Sequence, residues 1–306
     1  MMRVGGPLQS RLLGDNNFFM RTIVFTIAIL FLHTAPAFGN SPFLRIGVRV
    51  AATRDADCDS KQYRVWLRTF GNWTQGDAAT VDSLRFASYG LTLGMDRKIG
   101  KTWLAGLALG TNETSVKFAH SPSNDDISAF HANLFARKTF DRFFLDVESN
   151  FGYNGHSSPF QKDATQWGLS GEVGTWWSHG LGRVEPYIRL SHVCWNGRNS
   201  DTKETLIAGV RYSWQTATEL TTTVPRFYGG VVQELGNRSL FSVSSFGNTP
   251  TVFPVRDLEV SGTRLFLGGG FTTSMGKSLD VLFRYTAEMS SRDTSHTALL
   301  GINCNF

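Results

Sequence analysis

A two-residue alternation of apolar and polar side chains, kept up over long stretches, constrains this chain more than any other feature. In residues 279–289, Leu279, Val281, Phe283, Tyr285, Ala287 and Met289 fall on one phase, and Asp280, Arg284, Thr286 and Glu288 on the other. Successive side chains of an extended strand point to opposite faces, so this segment is a strand with one apolar and one charged face. The last segment repeats the pattern, with Ala298, Leu300, Ile302, Cys304 and Phe306 set against Asn303 and Asn305. Upstream, Trp103, Ala105, Leu107 and Leu109 form a face, as do Phe143, Leu145 and Val147 against Asp146, Glu148 and Asn150.

From Tyr63 onward there are about twelve such segments, each followed by a cluster of Gly, Asp, Asn, Ser or Pro. They lie near 63–73, 86–98, 102–117, 127–140, 143–154, 165–178, 183–195, 203–216, 226–235, 258–274, 278–290 and 295–306. Alternation alone fits a soluble sandwich as well as a membrane barrel, because both have one apolar and one polar sheet face. Length separates them: sandwich strands run about five or six residues, whereas these match the roughly nine to eleven tilted residues that cross a bilayer. Aromatic residues near strand ends (Trp73, Trp167, Trp176, Trp177, Trp195, Trp214 and Phe271) stand where interfacial girdles belong. The chain also closes on Phe306 at the end of an alternating strand.

The connections alternate between short and long. Short ones are Ile99-Gly100-Lys101, Phe140-Asp141-Arg142, His179-Gly180-Leu181-Gly182 and Gly276-Lys277; long ones cover 74–85, 118–126, 155–164, 196–202 and 236–257. Tight turns at one rim and longer loops at the other are the pattern of an outer-membrane barrel with both termini periplasmic. The expected fold is all-β: a transmembrane antiparallel up-and-down β-barrel of twelve strands over 63–306. Residues 40–62 precede it as a short lead-in or lumen plug, in which Arg45 and Arg49 stand four apart as on one helical face.

Composition supports this reading and excludes others. An apolar content of 41% is too low for a multi-span helical membrane protein, while 31 glycines and 13% aromatics suit crowded β-structure. The net charge of +5 is scattered without a basic run, so no nucleic-acid footprint is present. Cys58, Cys194 and Cys304 lie far apart without metal-ligand or redox-motif spacing, and which of them pair, if any, is left open. Arg21 to Asn40 reads RTIVFTIAILFLHTAPAFGN, a positive charge, a short apolar core and small residues at Ala35 and Ala37. That is the pattern of a cleaved secretory signal over 1–39, with cleavage expected after Ala37 or Gly39 and translation starting at Met20.

Chemistry is sparse. No nucleophile elbow, zinc-protease motif or phosphate loop occurs after Ser41, and Gly268-Gly269-Gly270 lies inside an alternating strand. No catalytic residue, metal site or cofactor is therefore assigned. His131 falls on the polar phase with Asn133 and Arg137, and Asp146 and Glu148 of the next strand could face it. With Arg189, Arg211, Asp280, Arg284 and Glu288 it is expected to line a polar lumen, the charges pairing across strands.

The segments YRVWLRTFGNW, FASYGLTLGMDRKIGKTWLAGLALGTNETSVKF, GLSGEVGTWW, RVEPYIRLSHV and TALLGINCNF, in this order over 63–306, resemble the autotransporter β-domain, the translocator barrel of type V secretion. The resemblance implies a monomeric twelve-stranded barrel in the outer membrane, with a helix crossing its lumen from an N-terminal passenger. It also implies periplasmic chaperones and a barrel-assembly machine that reads the last strand at Phe306. About 23 residues separate the leader from the first strand, so the expectation is a translocator or structural barrel without a folded passenger. A small outer-membrane pore and a surface hydrolase on a barrel scaffold are the alternatives.

Overall fold

The computed structural model describes residues 63–306 apart from 77–83, 119–123, 157–162, 181, 197–199, 219–220, 236–239, 247–248, 255–261, 277 and 292. The signal-peptide reading of 1–39, the lead-in at 40–62 and Cys58 thus lie outside the described residues.

Twelve long strands build the wall: β1 Tyr63–Gly76, β2 Leu84–Ile99, β3 Trp103–Phe118, β4 Asn124–Thr139, β5 Phe143–His156, β6 Ala164–Thr175, β8 Gly182–Asn196, β9 Ser200–Trp214, β11 Thr221–Glu234, β14 Thr263–Met275, β15 Leu279–Met289 and β16 Asp293–Asn305. Two short pieces, β7 Trp177–His179 and β10 Thr216–Ala217, extend it at the turns. Each long strand pairs antiparallel with its neighbours, and β1 pairs with both β2 and β16, which closes the sheet into a barrel. Closure leaves no open edge, the one β-arrangement that satisfies every backbone group within a bilayer.

The alternation sorts side chains as the sequence predicts, and it decides the solvent. Facing outward and exposed are Leu93, Leu107, Leu109, Leu134, Phe151, Leu169, Val173, Ile188, Leu190, Leu265 and Leu267. A soluble protein does not expose a continuous leucine-rich belt, so the outer wall is made for lipid. Facing inward and buried are Arg68, Asp96, Asn112, Arg137, Asp146, Glu148, Glu172, Arg189, Lys203 and Arg264, a polar interior inside an apolar exterior.

Turn chemistry explains one rim. Gly100, Gly180 and Gly276 hold positive φ of 63°, 47° and 64°, a region open to glycine at no steric cost. All three lie in the short connections read from the sequence. Inside the barrel, aromatic rings fold over glycines of the adjacent strand. Trp66 lies opposite Gly94, and a Cβ there would fall 2.1 Å from its Cζ2; Phe70 covers Gly90 in the same way, at 2.5 Å. Trp66 and Phe70 belong to one apolar cluster within the lumen, with Ala108, Leu282 and Leu299; a second gathers Phe144, Tyr187, Ile207, Val232 and Phe266.

The structure departs from the sequence expectation in three places. Strand β11 begins at Thr221 rather than near 226, because Pro225, a residue read as loop, sits in the wall opposite Phe271. The 236–257 connection is not plain loop: β12 Leu240–Phe246 and β13 Thr249–Pro254 form a hairpin within it. Its backbone comes close to β1, β2, β5, β6, β8 and β9, so it leans over the outer mouth. Trp195 and Trp176, placed in the interfacial girdle, face inward: Trp195 is buried and Trp176 stacks on Phe144.

Candidate functional site

The lumen is held by charge networks that bind one strand to the next. Glu172 of β6 is the cross-strand partner of Arg189 on β8, which donates to its carboxylate, and Arg211 of β9 reaches over to bond both oxygens at 2.7 and 2.8 Å. Arg211 also lies over the Tyr187 ring, 3.7 Å from the centroid. A second group joins Lys203, Glu234, Arg264 and Glu288, with Lys203 and Arg264 each 2.7 Å from Glu234 Oε1. A third pairs Arg137 with Asp146 and Asn133 with Glu148. Near the inner rim, Arg64 and the Trp66 indole N–H both donate to Asp96. Charges taken from water keep their charge only when paired and hydrogen-bonded, and guanidinium is the cation best shaped for it.

The residues singled out from sequence fall as follows. Arg189 and Arg211 converge on Glu172, and Asp280 accepts from the Asn305 amide at 3.1 Å. Glu288 faces Arg264, and Arg284 is buried on the same strand phase as Asp280 and Glu288. His131 is fully buried, but its partner differs from the expected carboxylates. Its Nε2 lies 2.5 Å from Asn112 Oδ1 on β3, because Asp146 and Glu148 are engaged by Arg137 and Asn133. Phe306 ends the barrel with its N–H donating 3.0 Å to the Tyr63 carbonyl and its ring exposed outward.

Residues 65–286 match the model of the autotransporter β-domain. The chain belongs to the autotransporter β-domain family. The fold agrees. The β-domain of the Bordetella autotransporter BrkA superposes with a TM-score of 0.63 at 17% identity, covering 80% of this chain and 100% of that one. The translocator domain of NalP from Neisseria meningitidis gives 0.60 at 17% identity, over 81% and 90% of the two chains. The transport unit of AIDA-I from Escherichia coli gives 0.61 at 12% identity, over 88% and 96%. None of the curated protein sequences matches this chain.

As an autotransporter β-domain, the chain owes its lumen to residues the sequence only half disclosed. Glu172, the hub of the first network, sits in GLSGEVGTWW among glycines and aromatics, where an isolated acid draws no attention. Its phase with Gln166 and Ser170, both buried, is the signal that could have found it. A second cluster was missed on the opposite face. His192 and Cys194 share the outer wall of β8 with Glu204 across from them on β9.

Proposed function

We propose that this autotransporter-type barrel works in the outer membrane as a translocator, its lumen guiding a segment of its own chain across the bilayer. The observation that carries the reading is the pairing of a lipid-suited outer wall with a charged, hydrogen-bonded inner wall in a closed barrel. A polar conduit offers a chain in transit hydrogen-bonding partners that lipid cannot, and its Arg and Glu networks keep the wall rigid while it is traversed.

Assembly requires periplasmic chaperones and a barrel-assembly machine that engages the last strand at Phe306, and the inserted protein is a monomer surrounded by outer-membrane lipid. In this reading residues 41–62 occupy the lumen of the finished barrel. Deleting them should raise single-channel conductance in a planar bilayer several-fold. Conductance equal to that of the full chain would overturn the occupancy of the lumen by that segment.

A further inference from the structure

The outer wall carries a constellation that the lumen networks do not use. His192 and Cys194 are two residues apart on β8 and so project to the same, outward side. His192 Nε2 lies 3.1 Å from Cys194 Sγ, and its Nδ1 lies 3.2 Å from Glu204 Oε1. Glu204 is the residue of β9 directly opposite His192, so strand register itself lines up the three groups. The Trp167 ring packs against the imidazole, 5.6 Å between centroids, and restricts its rotation. With the carboxylate accepting from Nδ1–H, Nε2 is left as an acceptor for the thiol proton, the arrangement of an activated nucleophile.

Its height on the barrel suggests the substrate. His192 is ten residues beyond Gly182, the inner end of β8. At about 3.4 Å per residue and a tilt near 40°, that is roughly 25 Å up, the outer edge of a barrel's apolar band. Below the cluster on the same face, Leu190, Ile188 and Leu169 are exposed and apolar, a bed for an acyl chain. Beside and above it, Thr202 stands across from Cys194 and Asn196 follows two residues on, placing a hydroxyl and an amide near the thiol. The ester groups of membrane lipids lie at this level, between chains and headgroups.

We propose that Cys194, His192 and Glu204 form a nucleophilic site that hydrolyses the carboxylic ester of an outer-leaflet lipid. His192 Nε2 takes the Sγ proton as Sγ attacks the ester carbonyl; the S–C bond forms, the ester C–O bond breaks, and the imidazolium returns the proton to the departing alkoxide. Water, deprotonated by the same imidazole, then attacks the thioester, the C–S bond breaks, and the fatty acid leaves with the thiol restored. Water is the only co-reactant, and no electrons are exchanged.

The test uses the folded full-length protein in mixed micelles of detergent and dipalmitoyl phosphatidylethanolamine, reading palmitate release and a hydroxylamine-sensitive acyl adduct on the Cys194 peptide by mass spectrometry. Cys194→Ala should abolish both signals. His192→Gln should lower release by at least about 100-fold, a general-base loss, and Glu204→Gln by a smaller factor. Cys304→Ser should match the unsubstituted protein. Should Cys194→Ala fail to fold, judged by gel mobility before boiling, Cys194→Val serves in its place. Release unaffected by the Cys194 substitution, or neither palmitate nor adduct from the unsubstituted protein, would overturn the proposal.

Discussion

Replacing Glu172 by Gln should destabilise the barrel far more than its modest chemistry suggests. The glutamate side chain is 1% exposed and lies between the guanidinium groups of Arg189 and Arg211. Glutamine keeps the volume but removes the one carboxylate that both guanidinium groups share, leaving two cations a few ångströms apart. Removing one partner of a buried pair costs about 3–5 kcal/mol; because the Arg211 side chain keeps 12% exposure to the lumen, the lower end, about 3 kcal/mol, applies. That lowers the folded-to-unfolded ratio roughly 100-fold, and with a urea slope of about 3 kcal/mol/M it moves the midpoint down by about 1 M. The assay is a urea series on vesicle-embedded protein, with the folded fraction read by gel mobility without boiling. Changing the whole hub together, Glu172→Leu with Arg189→Met and Arg211→Met, should recover most of the loss, since no charge is then stranded. A Glu172→Gln midpoint within about 0.2 M of the unsubstituted protein would refute the reasoning and show that lumen water, rather than the carboxylate, solvates these arginines.

Further outcomes follow from the two faces of the wall. Leu134→Arg places a charge on an outward residue that is 62% exposed near mid-bilayer, and should cost about 2–4 kcal/mol in vesicle folding titrations, whereas Ser128→Arg near the outer rim should cost under about 1. Gly94→Ala drives a methyl into the Trp66 ring and should cost about 1–3 kcal/mol on the same titration, with Trp66→Leu in the same chain restoring part of it. Deleting Phe306 removes the residue whose N–H closes on Tyr63 and should reduce the amount of heat-modifiable barrel recovered from cells, with unchanged recovery counting against its role in assembly.

Much of this fold was legible because alternation is geometric: Leu279 through Met289 show their two faces before any packing is known, and the exposed Phe283, Tyr285 and Met289 lie on the phase read as apolar. The positive-φ turns were legible for the same reason, since Gly100, Gly180 and Gly276 interrupt that alternation at short intervals. What stayed hidden depends on partners distant in sequence. Pro225 reads as a strand breaker, yet it stands within β11, held opposite Phe271 of β14 on one side while the pairing with β9 on the other begins at Arg226. Trp176 and Trp195 look like girdle residues until the phase of their strands is fixed by neighbours such as Phe144. The Asn112 partner of His131 and the Glu204 partner of His192 come from register between strands, which composition and spacing leave undetermined.

The central claim, a closed membrane-spanning barrel, is tested most directly by the gel mobility of the protein taken from an outer-membrane fraction, compared before and after boiling. The account predicts a band that runs differently unboiled and shifts to the position of the unfolded mature chain on heating. A single unshifted band from a protein recovered soluble in the periplasm would contradict it.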